Sequence, residues 1–404
     1  MEQRARRQMA GLFVLVLVFT GLANGLGNNI LSNYFNEVYH IDSVQRGFLE
    51  IPRESPGILC MVLVAALGCL GNLWMSVLAQ ALLLIGLAVM GMCAPSYQVM
   101  LLFLFLHSLG MHLFMPLSDT ISMDLAKEGQ VGAALGKFKG VTTLMTMVSA
   151  CMVFVGFRTG IFTFASTIIL PFNIGVICTA VAIILLIRMA TKWTGGEQVR
   201  NHKLLFRRRY MPYYMVTLAY GCQKRIRIVF APWVVIQLLG KGADTVALLT
   251  IATYLVGTGM APIIGKLLDR FGVRKLLWLE AGYIGVTFCF MGWLSGRLVQ
   301  GSFGDRSWEV WIVFFSYVLC VLFEQFNMVH AFMMRSIALD SSEVTQTLSV
   351  GVSVDHVMAI VASPVMGLIW NGMGVQYVFY LAAVSALFQV GAGLMIRQPM
   401  SVPE

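Results

Sequence analysis

About a dozen apolar stretches, each long enough to cross a bilayer, follow one another along this chain with mostly very short connections. A hydrocarbon core of about 30 Å takes about 20 apolar residues as a helix. The stretches fall near 10–32, 46–71, 75–95, 98–123, 136–157, 161–187, 211–239, 244–266, 275–296, 308–336, 344–370 and 375–396. Connections such as Asn371-Gly372-Met373-Gly374 are too short to hold a fold of their own. Barrel strands would alternate polar and apolar positions, and Leu101-Leu102-Phe103-Leu104-Phe105-Leu106 does not. Hydrophobic residues make up 58% of the chain and charged residues 12%, too little polar surface for a water-soluble fold. The expectation is an all-α membrane protein with twelve transmembrane helices.

The basic head, Arg4, Arg6 and Arg7, resembles the start of a signal peptide. However, residues 10–32 exceed a usual signal core, and Asn28-Asn29 offers no small-residue cleavage site, so the stretch is read as a retained first helix. The eight cysteines fall in or beside the apolar stretches without metal-ligand spacing. They read as small buried apolar side chains, and no metal or cofactor is inferred.

With an even helix count both termini share one face. Seventeen lysines and arginines fall on that face, against five (Arg46, Arg158, Lys241, Arg297 and Arg306) in the opposite loops. The positive-inside rule then places both termini in the cytoplasm and the chain in the cell (inner) membrane. The net charge of +9 is thus a topology signal, and no nucleic-acid partner is expected. The expected partners are the lipid bilayer and a small-molecule substrate, with energy from proton coupling or from the substrate gradient, and the chain is expected to act as a monomer.

The longest polar connection, 189–210, divides the chain into bundles at 1–188 and 211–404. Weak internal repeats support the division. Ala134-Leu-Gly-Lys-Phe-Lys-Gly-Val-Thr-Thr-Leu-Met lines up with Thr347-Leu-Ser-Val-Gly-Val-Ser-Val-Asp-His-Val-Met, and His112-Leu-Phe-Met resembles His330-Ala-Phe-Met. Gly68-Cys-Leu-Gly-Asn72 takes the place of Gly265-Lys-Leu-Leu-Asp269. Three matches in order favour a duplicated six-helix bundle enclosing a charged central site.

Between segments eight and nine, Gly265-Lys-Leu-Leu-Asp269-Arg270-Phe-Gly272-Val-Arg274-Lys275 resembles the cytoplasmic signature of the major facilitator superfamily. The resemblance implies two pseudo-symmetric six-helix bundles that rock between access states. In that family the element latches one state, so Asp269, Arg270 and Arg274 are gating candidates. Gly265 permits close helix approach and Gly272 a tight turn. The first-half copy departs from the pattern, with Asn72 in place of the aspartate. Segment five also lacks the Gly-Pro-x-x-Gly-Gly pattern of many drug–proton antiporters of the family, which counts against a standard multidrug exporter.

Ionisable groups inside a membrane are expensive and call for a function or a partner. Glu50, Arg53 and Glu54 share a face beside Pro52 and Pro56, which free backbone carbonyls. In segment seven, Lys224 lies 15 residues past Arg209, about 22 Å along a helix. Lys224 and Arg227 share one face and Arg225 points elsewhere, toward a neighbouring helix. Glu324 and Asp355 are the acidic partners available in the same half. His107, His112, Asp119, His330 and His356 complete the titratable set, and Asp119 and Asp124 are expected to pair with Lys137 and Lys139. Substrate binding is assigned to Asn24, Asn28, Arg53, Lys224, Arg227 and Asn327, and proton coupling to Glu50, Glu54, Glu324 and Asp355. Tyr220, Trp233 and Phe326 are further lining candidates.

No Gly-x-x-x-x-Gly-Lys-Ser/Thr nucleotide loop occurs, so ATP-driven pumping by this chain is not expected. The reading is a secondary transporter of a small organic anion or zwitterion, and not an enzyme. A proton-coupled efflux pump for drugs or amphiphiles is the alternative, and a non-transporting membrane sensor the alternative of another class.

Overall fold

A computed structural model describes residues 2–126, 131–192, 207–301, 303, 306–339 and 341–396. In chain order the helices are α1 (Glu2–Tyr39), α2 (Ser43–Phe48), α3 (Glu50–Ala66), α4 (Gly71–Met92), α5 (Tyr97–Asp124), α6 (Val131–Arg158) and α7 (Leu170–Lys192). They continue as α8 (Met211–Arg225), α9 (Ala231–Trp233), α10 (Ala243–Val299), α11 (Ser307–Leu322), α12 (Asn327–Ile337), α13 (Ser341–Gly372), α14 (Val375–Ser385) and α15 (Leu387–Met395). No strand occurs among the described residues. Most of the polar connection, together with Lys127, Arg200, Lys203 and Arg397, lies outside them.

Nine of the described helical stretches are long and apolar enough to cross a membrane. One of them, α10, has 57 residues, or about 85 Å at the helical rise, enough for two passes. Its two arms meet at Gly272, whose φ of 74° and ψ of 169° suit only glycine. The other two of the twelve apolar stretches are broken helices. One is divided between α2 and α3, and the other passes through π-helical turns at Ile226–Phe230 and Val234–Leu238 on either side of α9.

Segment six starts later than its apolar pattern predicts. Residues 161–169 form turns, and the helix begins at Leu170. Thr163 and Ser166 accept hydrogen bonds from the backbone N–H groups of Ala165 and Ile168, offering the chain an alternative to helix. Pro171 then takes a first-turn position, where its missing N–H does no harm.

Contacts gather the chain into two compact units. The first comprises 1–40, 52–201 and 242–248, and the second 41–51, 202–241 and 249–404. In the first unit α1 packs on α6 and α7, and α4 on α5 and α7. Phe13, Val16, Met75, Ala79, Leu113 and Leu186 fill its core, and Phe13 meets Phe138 edge to face at 5.3 Å.

In the second unit α8 packs on α13 and α15, while the short α2 lies along α13. Asp42 caps α2, accepting from the Gln45 N–H at 2.7 Å while Gln45 Oε1 accepts from Asp42 N–H at 3.1 Å. Close approach of α2 and α13 depends on two glycines. A Cβ at Gly47 would lie 3.1 Å from Pro364 Cα, and one at Gly367 would lie 3.1 Å from Val44 Cα.

Candidate functional site

The second unit gathers most of the buried charge. From α8, Lys224 Nζ donates to Asp355 Oδ2 of α13 at 2.5 Å. Arg225, only 2% exposed, turns toward Glu50 at 3.5 Å and toward the same Asp355 oxygen at 3.7 Å. Arg227, in the first π-helical turn, donates to Glu324 Oε2 at 2.9 Å. Lys224, Arg225 and Arg227, all of helix seven (the broken helix of the seventh apolar stretch, residues 211–239), thus reach three carboxylates drawn from three other parts of the unit.

Glu50 is shared. Arg46, one turn earlier, donates to its other oxygen at 2.8 Å, and the Arg46 guanidinium lies 5.9 Å from the Trp233 ring. The sequence pattern treats Arg46 as an external loop cation, yet it is 2% exposed. Its position follows from the capped turn of α2, which carries it inward against α13 and Trp233. The side chain of Glu324 is 51% exposed, whereas that of Arg227 is 7% exposed. This pair therefore joins a buried guanidinium to a half-exposed carboxylate. Asn327, one turn on from Glu324, is exposed.

The first unit holds a smaller polar cluster. Arg53 pairs with Glu54 at 3.0 Å, and His112 Nε2 lies 3.8 Å from the other Glu54 oxygen. The Ser108 hydroxyl donates to the Arg53 carbonyl and lies 3.0 Å from His112 Nδ1. His107 is buried nearby and interacts electrostatically with Arg53 and His112. In α1, Asn28 reaches Met111 Sδ at 3.9 Å, and Asn24 Oδ1 is buried without a protein hydrogen-bond partner. Asp119 interacts electrostatically with Lys139 across the α5–α6 hairpin.

The gating candidates surround the Gly272 bend. Asp269 and Arg270 are exposed. The Arg270 guanidinium lies 5.2 Å from the Phe271 ring and that of Arg274 4.8 Å from the Trp278 ring. These cation–π contacts hold the basic side chains along the helix surface.

Among the described residues, the most deeply buried acid that the sequence analysis leaves out is Glu280. Glu280 of α10 is fully buried and contacts His330 of α12. Its signal was legible, because a carboxylate within the apolar run Leu276–Tyr283 meets the same criterion that singled out Glu324 and Asp355.

The family model of the Major Facilitator Superfamily matches residues 13–296, which is most of the chain. The chain belongs to the major facilitator superfamily. It is therefore a multi-pass membrane protein and a secondary transporter, not an enzyme. Its fold is similar to that of the nucleoside transporter NupG, at 12% identity and TM-score 0.72, covering 97% of this chain and 100% of that one. It is also similar to a D-xylose-proton symporter, at 16% identity and TM-score 0.69, covering 95% and 96% of the two chains. A bacterial homologue of the human lysosomal transporter Spinster aligns at 13% identity and TM-score 0.64, covering 97% of each chain. These likenesses concern the fold. No curated protein matches the sequence.

Proposed function

We propose that this chain moves a small organic anion or zwitterion across the cytoplasmic membrane by alternating access, with protons as the coupling ion and both termini in the cytoplasm. The two bundles at 1–188 and 211–404 would be its moving parts, and the chain would work as a monomer. The observation that carries the reading is the Arg227–Glu324 pair, in which a buried guanidinium is matched by a half-exposed carboxylate. Guanidinium geometry suits carboxylate and phosphate alike. An incoming anionic group can replace Glu324 on Arg227, and an ammonium group on the same solute can take up the carboxylate it releases.

Lys224 and Asn327 support the same role in the second unit, and Asn24, Asn28 and Arg53 in the first. Protonation of Glu324 or Asp355 would release a helix-seven cation and so change both affinity and the free energy of closure, which is what coupling requires. Glu50 and Glu54 are further coupling candidates. Asp269, Arg270 and Arg274 are proposed to act in gating.

Uptake into proteoliposomes, challenged with a panel of organic anions, zwitterions and lipophilic cations, tests the reading. Inhibition by anions or zwitterions that is lost in Arg227→Gln is expected. Inhibition confined to lipophilic cations would favour amphiphile efflux, and binding without flux a sensor. Coupling fails if Glu324→Gln and Asp355→Asn keep full activity and uptake ignores a proton gradient.

A further inference from the structure

Glu280 and His330 stand apart from the helix-seven ion pairs. The two carboxylate oxygens of Glu280 lie 2.8 and 3.0 Å from a single atom, His330 Nε2. Glu280 is fully buried and His330 is 4% exposed. Among the described residues His330 is the only ion-pair partner of Glu280. The Tyr220 ring of α8 stands edge-on against the imidazole, with centroids 5.1 Å apart, and packs on Phe323 at 5.3 Å. Tyr283, one turn along α10, donates its hydroxyl to the Leu319 carbonyl at 2.6 Å. The enclosure is therefore aromatic and protein-lined. Tyr220 also interacts electrostatically with Arg227, Glu324, Asp355 and Glu280, so the pair shares its wall with the helix-seven charges.

The internal repeat reinforces the observation. His330 begins the tetrapeptide that matches His112-Leu-Phe-Met. In the first unit His112 also stands beside a buried carboxylate, Glu54. There, however, Arg53 already balances the acid. In the second unit the imidazole is the one balancing group among the described residues.

We propose that Glu280 and His330 form a proton-binding site, whose use in transport rests on the proton coupling proposed above. Loaded, the pair carries one proton between Nε2 and the carboxylate, either as Nε2–H donating to an ionised carboxylate or as a carboxyl O–H donating to neutral Nε2. The other imidazole nitrogen keeps its own proton, and the net charge is zero. Unloading returns one proton to water and leaves a neutral imidazole beside a carboxylate, a net charge of minus one. A net charge sealed in a membrane interior is unfavourable. The loaded form is thus suited to a closed site, and the unloaded form to one open to water.

Infrared titration of the purified protein in nanodiscs tests the site without a substrate. A pH-dependent band of the loaded pair, from the protonated carboxyl of Glu280 or the imidazolium of His330, is expected in the wild type and should be lost or shifted in Glu280→Gln. Its midpoint should move by about one pH unit or more in His330→Gln, the shift a lost charged neighbour commonly brings. A band of unchanged amplitude and midpoint in Glu280→Gln overturns the proposal. Should that variant not fold, an unchanged midpoint in His330→Gln overturns it equally. Proteoliposome uptake of the panel anions, with and without a proton gradient, is scored separately. Gradient-driven uptake beside an unchanged band sinks this site and leaves coupling standing. Loss or shift of the band in Glu280→Gln with gradient-independent uptake supports the site and sinks coupling.

Discussion

Glu50 and Arg225, 175 residues apart in the chain, form an ion pair at 3.5 Å in which both side chains are almost wholly buried. The acid also serves Arg46, and the guanidinium also faces Asp355. Glu50 thereby ties Arg46 of α2 to Arg225 of α8.

Their unequal connections predict unequal costs of removal. Loss of Glu50 leaves both Arg46 and Arg225 without its charge, whereas loss of Arg225 leaves Glu50 with Arg46 and Asp355 with Lys224. Breaking a buried pair by removing one partner costs about 3–5 kcal/mol. Glu50→Leu is expected at the upper end of that range and Arg225→Leu below it. Thermal unfolding in detergent checks the order, and equal destabilisation would count against the shared-acid arrangement.

The Arg227–Glu324 pair behaves differently. Because its carboxylate is half exposed, its contribution to stability should be about 1 kcal/mol or less. Arg227→Gln is therefore expected to unfold within a few degrees of the wild type while losing most of its uptake. A large fall in melting temperature without a specific loss of flux would assign the residue to structure instead.

Gly367 separates α13 from α2 by less than a side chain. Gly367→Val places atoms against the Val44 backbone, and overpacking of this kind costs about 1–3 kcal/mol. The variant should be less stable. Thermal unfolding in detergent checks this, and a Gly367→Val variant as stable as the wild type would count against the close approach of α2 and α13.

Gly272 turns α10 with a positive φ that an L side chain resists. Gly272→Ala should destabilise by about 1–3 kcal/mol and slow uptake. Gly282, on the same helix with open space around it and no such φ, is the control, and Gly282→Ala should change little.

How far the sequence reached depended on the kind of signal. Run length and hydropathy located all twelve membrane segments, because lipid imposes one requirement on every residue of a span. The pairing of Lys224 with Asp355 and of Arg227 with Glu324 was also open to anticipation, since a buried cation needs an acid and few were available. Arg46 was hidden because its depth comes from a cap and two glycine contacts, neither of which shows in hydropathy. The late start of α7 was hidden for a related reason. Thr163 and Ser166 decide it through local hydrogen bonds, inside a stretch whose composition reads as membrane.

The wide turns of helix seven have a consequence for anyone comparing this chain with its relatives. A π-helical turn takes in one residue more than an α-helical turn, and each residue is worth about 100° of rotation. Each of the two wide turns therefore rotates the side chains beyond it by about 100° from where counting by α-helical turns would put them, and the two together by about 200°. Positions beyond Arg225 should be matched by the direction of the side chain and not by alignment column, and a mutant library for this helix should scan every residue from Arg227 to Leu238, not one face.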